Sequence, residues 1–260
     1  MKTIGLVAEG PRDLDMLSAV IDKITGEENT YRYLQPEYEI GFANGTGWKG
    51  VWKWCEEHRD CLRDYMFSIL PKLDLLVIQM DGDVARKERE VHCECQRALC
   101  SVPHDVHPLR CERIVRGECL VRIPCLQHGE TADAYADYLN GFLREQLGTM
   151  EGLPICLTIP CDSTDAWIVA AYENGDALEM QSVESIENPW ENVVAHAKEY
   201  HGVRIKNRPN KAKAVYAELV SHVCTNWALV TQRCPQAKNL RTGFVFFSRN
   251  RTLSSSRERA

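Results

Sequence analysis

The chain has 260 residues, 44% hydrophobic and 26% charged, a globular composition that excludes general disorder and is enough for one sizeable core. Its 31 Lys and Arg residues against 37 Asp and Glu residues give a net charge of -6, which excludes a general attraction to nucleic acid. No apolar run approaches the ~18 residues that a membrane helix needs, so we expect no membrane association.

The chain contains twelve cysteines. No export segment precedes the first apolar run, so we expect reduced thiols in a cytoplasmic protein rather than a disulfide framework. Metal binding or burial is then the expected role of these thiols.

The first 26 residues predict a strand followed by a helix. Ile4 to Ala8 is a short apolar strand that runs into Glu9-Gly10-Pro11, where the glycine can turn the chain and the proline suits a first helical position. Apolar residues then recur at helical spacing until Gly26, which provides the stop.

Two further strands and a helix are predicted before residue 84. Tyr38 to Ala43 is typical of a second strand, and Val51 to Leu70 predicts one long amphipathic helix that ends before Pro71. The run Leu73 to Met80 is almost entirely apolar, as expected for a central strand covered on both faces. It stops at Asp81-Gly82-Asp83.

This order of strands and helices predicts an α/β fold with a mostly parallel sheet flanked by helices. Ligands of such sheets gather outside the carboxyl ends of the strands, which is where Glu9 and Asp81 fall. In the rest of the chain, Thr131 is expected to cap a helix to Leu147, Leu153 to Ile159 to form a strand, and Asp162-Ser163-Thr164 to open a helix.

The predicted organisation has five parts. They are a first part of the α/β core (1–92), a Cys/His/Arg-rich insertion (93–128), the remainder of the core (129–175), a helical C-terminal region (176–250) in which 193–200 and 211–225 are the clearer helices, and a flexible tail (251–260). A helix beginning at Val84 is expected to lead into the insertion.

The acidic residues at the strand ends are the strongest chemical signal. Asp81 and Asp83 place like charges within a few ångströms, which is unfavourable unless a cation or a proton offsets the repulsion. A hard ion such as Mg²⁺ or Mn²⁺ is the simplest answer, with Glu9 as a third carboxylate and Asp13, one helical turn further on, as a fourth. The alternative is a polar turn that only caps a helix.

An apolar strand ending in Glu9-Gly10, a helix, and a later apolar strand ending in Asp81-Gly82-Asp83 resemble the TOPRIM domain of topoisomerases, DnaG-type primases and overcoming-lysogenization-defect nucleases. The resemblance covers about the first 90 residues. It implies that Glu9 is a metal ligand or general acid/base and that Asp81 and Asp83 hold magnesium. Asp13 corresponds to the acidic residue four positions after the glutamate in the nuclease branch.

The segment Asp162 to Trp167 is similar to the acidic, Trp-containing segment of small stand-alone TOPRIM-like proteins of phage-defence loci. This resemblance nominates Asp165 as a further metal ligand. Lys211 and Lys213 are candidates for the catalytic cation that stabilises a phosphorane-like transition state, the alternative being a solvated helix start.

The insertion carries a second cluster of potential ligands. Four soft ligands of this cluster would suffice for a tetrahedral structural zinc, although the spacing fits no common finger pattern; the alternative is buried or incidental thiols. The candidates are Cys93, Cys95, Cys100, His104, His107 and Cys111. Neighbouring arginines are candidate nucleic-acid contacts, namely Arg97, Arg110, Arg113 and Arg116.

The first functional hypothesis is therefore a metal-dependent nuclease that hydrolyses phosphodiester bonds of DNA or RNA. The resemblance suggests the effector of an anti-phage defence system. Because no Gly-rich nucleotide-binding motif is apparent in the sequence, any ATPase would be a separate subunit. Homo-oligomerisation stays open. One alternative follows from Asp81-Gly82-Asp83-Val84, which also resembles the nucleophile loop of haloacid-dehalogenase-type phosphatases and would make Asp81 the nucleophile. Another is a non-catalytic module that binds nucleic acid or a protein partner.

Overall fold

A four-stranded, all-parallel sheet forms the centre of the protein, with strand order β2-β1-β3-β4. The computed structural model describes residues 1–37, 45–86, 131–172, 183–195 and 211–244. The strands are β1 (Thr3–Val7), β2 (Thr30–Gln35), β3 (Leu75–Gln79) and β4 (Ile155–Thr158). Leu6 of β1 pairs with Tyr33 on one side and Val77 on the other, so β1 and β3 are the inner strands.

Helices flank this sheet, which confirms the predicted α/β class. In chain order they are α1 (Pro11–Thr25), α2 (Trp48–His58), α3 (Leu62–Ser68), α4 (Asp83–Arg86), α5 (Ala132–Leu147), α6 (Asp165–Tyr172), α7 (Pro189–Ala195), α8 (Lys213–Thr225), α9 (Trp227–Arg233) and α10 (235–244). A single 3-10 turn, Val183–Ser185, precedes α7.

The sheet separates two apolar cores, because successive side chains of a strand point to opposite faces. Val77 joins the core formed with α1, α6, α8 and α9, whereas Leu76 and Ile78 join the core formed with α2, α3 and α5. All five residues of β3 are buried, which explains why this segment is apolar with little alternation.

Several predicted elements are confirmed at or near their predicted ends. Pro11 begins α1, and Gly26 ends it with a φ of 71° in the left-handed region. Thr131 caps α5, because its hydroxyl accepts the backbone N–H of Ala134 at 3.2 Å. Strand β4 lies within the predicted run 153–159.

Two predictions in the first half of the chain need comment. The second strand, β2, is Thr30–Gln35, which the sequence pattern did not indicate. The predicted strand 38–43 lies outside the described residues. The single predicted helix over Val51 to Leu70 is wrong: α2 ends at His58, and α3 begins at Leu62. The separate helices let both apolar stripes pack against the same face of the sheet.

The insertion 93–128 and the tail 251–260 lie outside the described residues, as does the predicted continuation of α4 beyond Arg86. The described part of the C-terminal region is helical, as predicted. No helix in the described ranges is long and apolar enough to cross a bilayer.

Candidate metal centre

Glu9 and Asp81 meet at the carboxyl edge of the sheet because β1 and β3 are adjacent and parallel. Val7 is in register with Ile78, so the residues that follow both strands leave the sheet side by side. The Oε1 atom of Glu9 accepts the backbone N–H of Asp81 at 2.8 Å. The two strand ends are thus joined through the candidate glutamate itself.

Gln79, a residue that the sequence analysis did not single out, completes this junction. Its Oε1 atom accepts the backbone N–H of Glu9 at 3.1 Å, and its Nε2 atom donates to Oδ1 of Asp81 at 2.6 Å. The side chain is fully buried at the end of β3. The available signal was a lone polar side chain in an otherwise apolar strand, since buried polar groups need partners.

Asp13 lies in the first turn of α1 and is buried next to Thr164, the residue directly before α6. Its Oδ1 atom accepts the hydroxyl of Thr164 at 2.6 Å, a contact that the sequence did not predict. Burial raises the pKa of Asp13 to about 6, although the Thr164 hydrogen bond and the positive charge of Lys211 act in the opposite direction.

Asp165 and Lys211 form an ion pair between their Oδ2 and Nζ atoms. The other carboxylate oxygen of Asp165 accepts the hydroxyl of Tyr216 at 3.1 Å. The Asp165 carboxylate is only 3% exposed, so this pair is partly withdrawn from water. Lys213 is exposed at the start of α8, so of the two candidate lysines the structure places Lys211 among the acidic residues.

The other candidate carboxylates affect the pKa of Asp81. Burial raises the pKa of Asp81 well above its usual value, and the negative charges of Glu9, Asp13, Asp83 and Asp165 raise it further. Burial lowers the pKa of Lys211, but the carboxylates of Asp165, Asp13 and Asp81 outweigh that effect and leave it above its usual value. Five carboxylates and one ammonium group at this edge of the sheet are thus close enough to interact electrostatically.

Gly82 lets the loops after β3 and β4 come into contact. A β-carbon at this position would lie 2.9 Å from the Cα atom of Cys161 and 3.1 Å from the backbone oxygen of Pro160. The backbone N–H of Gly82 donates to the same Pro160 oxygen at 2.9 Å, and that of Asp83 donates to the Asp162 oxygen at 3.2 Å. A side chain between the two aspartates would thus clash with the loop after β4, so the position requires glycine.

The chemistry of the donor set fits a hard divalent cation, because carboxylate oxygens are its preferred ligands. The carboxylates also outnumber the single ammonium group that could neutralise them. In the ranges that the structure describes, however, no group of three or more His, Cys, Asp or Glu side chains is arranged to hold an ion. Oxygens of Asp13, Asp81 and Asp165 instead accept hydrogen bonds from Thr164, Gln79 and Lys211.

The remaining site predictions fall outside the described residues. These are the six candidate zinc ligands and the four arginines nominated for nucleic-acid contact, all in the insertion. The cysteines that the structure describes are free thiols.

Comparison with known proteins supplies no relative. No family model matches the chain, and neither a curated protein nor a solved structure does. The function therefore has to be argued from the geometry of the site.

Proposed function

We propose that this chain is a Mg²⁺- or Mn²⁺-dependent hydrolase of phosphodiester bonds in DNA or RNA, built on a TOPRIM-like core. The observation that carries the proposal is that Glu9 accepts the backbone N–H of Asp81 at the carboxyl edge of a parallel sheet, while Asp13 accepts the hydroxyl of Thr164, the residue next to Asp165. Such an edge is where open α/β sheets bind their ligands. Crowded carboxylates are also the donors that Mg²⁺ and Mn²⁺ prefer.

In this proposal Glu9, Asp81 and Asp83 hold the ion, and Asp13 and Asp165 are further ligands. When bound, the ion supplies Lewis acidity toward a phosphoryl oxygen and lowers the pKa of a water molecule. Gln79 orients the Asp81 carboxylate, because it donates to Oδ1 at 2.6 Å. Lys211 binds a phosphoryl oxygen and offsets the negative charge that develops during in-line attack.

The proposed biological setting is anti-phage defence, with nucleotide control supplied by a separate ATPase subunit. This part of the proposal rests on the TOPRIM-like pattern and on the absence of a Gly-rich phosphate loop from the sequence.

The test is cleavage of plasmid, single-stranded DNA and total RNA by the purified chain in Mg²⁺, Mn²⁺ or a chelator. We expect cleavage of at least one substrate that the chelator abolishes and that Glu9→Gln and Asp81→Asn each reduce by about 100-fold or more. Glu57→Gln is the matched control, since Glu57 is half exposed on α2 and pairs with Lys53 at 3.8 Å. It should cleave like the unchanged protein.

Two results would overturn the proposal. Hydrolysis of a small phosphate monoester with a phosphoaspartate trapped at Asp81 would indicate the phosphatase. Retained nucleic-acid binding without metal-dependent cleavage, in the presence of cell extract to supply a partner, would indicate the non-catalytic module.

A further inference from the structure

Both carboxylate oxygens of the buried Asp165 have partners within the protein, and one of these partners is Lys211. Oδ2 pairs with the Lys211 ammonium and lies 3.5 Å from the Ser163 hydroxyl, and Oδ1 accepts the Tyr216 hydroxyl at 3.1 Å. Asp165 is only 2% exposed. An ion that is to bind Asp165 through Oδ2 therefore competes with the Lys211 ammonium.

Lys211 is held where it stands by contacts at both ends of the residue. Its backbone oxygen accepts the Nε atom of Arg12 at 2.9 Å, which ties it to the start of α1. Its Nζ atom lies 5.2 Å from the ring centroid of Trp190 and 5.8 Å from that of Tyr216, within the range of cation–π attraction. The ammonium group is thus positioned rather than freely solvated.

The ammonium group also interacts electrostatically with other carboxylates of the site. The negative charges of Asp13 and Asp81 stabilise the charged form of Lys211, in addition to the larger effect of Asp165. The guanidinium of Arg12, the neighbouring cation, is already paired with Asp15. Lys211 is therefore a cation already bound inside the cluster that the proposed function assigns to a metal.

We infer that Lys211 is an internal counter-ion that competes with the divalent metal for Asp165, so that metal binding releases the ammonium toward the substrate phosphate. This inference rests on the proposed function. It reconciles the two predicted roles, because the Oδ2 atom of Asp165 pairs with Lys211 before the metal binds and with the metal afterwards. Binding of the metal and exposure of the transition-state cation then become one event.

The first test is Mn²⁺ binding to the purified chain, measured by isothermal titration calorimetry, for Lys211→Met, Lys211→Arg and Lys213→Met. Without the competing ammonium, we expect Lys211→Met to bind Mn²⁺ about tenfold more tightly than the unchanged protein. Lys211→Arg keeps the charge and should not gain affinity. Lys213→Met is the matched control, since it removes the same charge from an exposed position two residues away and should bind like the unchanged protein.

A second test needs no substitution, in case Lys211→Met does not fold without metal. The reactivity of each lysine toward an amine-acylating reagent is followed by peptide mass spectrometry with and without saturating Mn²⁺. We expect Lys211 to become several-fold more reactive when Mn²⁺ is present, with Lys213 unchanged as the internal reference.

The outcomes separate the two proposals. Mn²⁺ binding with equal affinity in the unchanged protein and Lys211→Met, or a Lys211 reactivity that does not rise, overturns the counter-ion role and leaves the hydrolase standing. Failure of every folded variant to bind Mn²⁺ overturns the metal centre, and the counter-ion role with it.

Discussion

Gln79 shows how one buried side chain joins two strand ends. It accepts from the backbone of Glu9 and donates to the carboxylate of Asp81, while Glu9 accepts from the backbone of Asp81. These three hydrogen bonds form a closed link between β1 and β3. The geometry of the acidic residues therefore depends on a residue that carries no charge.

The Gln79→Met substitution tests this link. Methionine has nearly the same length but leaves the Glu9 backbone N–H without its acceptor and the Asp81 carboxylate without a donor. We expect the free energy of unfolding, measured by urea denaturation, to fall by about 2–6 kcal/mol, since each of the two unpaired buried groups costs about 1–3 kcal/mol.

Thr158→Val is the matched control for that substitution. Thr158 is in register with Gln79 on β4 and is buried, and its hydroxyl has no hydrogen-bond partner among the residues that the structure describes. Replacing that hydroxyl by a methyl group should leave stability unchanged or raise it slightly. Equal effects of Gln79→Met and Thr158→Val would show that the link contributes nothing.

At the scale of the elements, α5 shows where local sequence signals suffice. Thr131 has an extended backbone with φ of -99° and ψ of 156°, and its hydroxyl accepts the backbone N–H of Ala134. Both features depend on residues within one helical turn, and the cap was predicted for that reason.

Removal of this cap gives a prediction for α5. Thr131→Ala should lower the free energy of unfolding by about 1 kcal/mol, because it leaves a backbone N–H of the first turn without its acceptor. Thr131→Ser keeps the hydroxyl and should retain most of the stability in the same urea titration. A Thr131→Ser protein as unstable as Thr131→Ala would argue against a capping role.

The break between α2 and α3 shows where local signals fail. Residues 59–61 separate the two helices, and they contain neither proline nor glycine. Buried residues 51, 55, 62 and 66 follow a spacing that also suits one continuous helix. Both segments pack into the same core on one face of the sheet, a tertiary arrangement that periodicity does not report.

Strand β2 was missed for a related reason. Among the described strands it lies at the edge of the sheet, and Thr30 and Tyr33 are exposed while Gln35 is buried. It therefore lacks the apolar run by which β1 and β3 were predicted. Its conformation is fixed by parallel pairing with β1, a contact between segments about 27 residues apart.

At the scale of the whole molecule, Glu184 connects elements that are distant in the chain. Its Oε1 atom accepts the indole N–H of Trp167 in α6 at 3.4 Å, and its Oε2 atom accepts the backbone N–H of Gln236 in α10 at 3.0 Å. Burial raises the pKa of Glu184 to about 7, although both hydrogen bonds act in the opposite direction.

This raised pKa predicts a pH dependence of stability. The folded protein holds the Glu184 proton more tightly than the unfolded chain, whose carboxyl has the ordinary pKa of 4.5. The stabilisation is thus fully present below about pH 4.5 and is lost as the pH rises through about 7, by about 3 kcal/mol in all.

Glu184→Gln isolates this contribution. Glutamine does not titrate, so the stability difference between the two proteins should shift in favour of the variant as the pH rises from 4.5 to 7. Loss of one acceptor oxygen adds an offset that does not depend on pH. Parallel stability curves from urea denaturation across this interval would show that Glu184 carries no such linkage.

The sequence by itself determined the features that depend on neighbouring residues. These are the buried strands β1 and β3, the ends of α1, the cap of α5 and the positions of Glu9 and Asp81 at the carboxyl ends of their strands. Hydrophobic period, capping residues and turn glycines report on local structure, and parallel strands place their carboxyl ends at one edge.

Only the tertiary structure decided which polar groups pair across that edge. Gln79 with Glu9, Thr164 with Asp13, and Lys211 with Asp165 join segments whose approach is set by the packing of helices on the sheet. Side-chain pairing over 46 or 151 residues leaves no periodic trace in the sequence. The acidic residues were thus predictable one by one, but the protein donors that hold them were not.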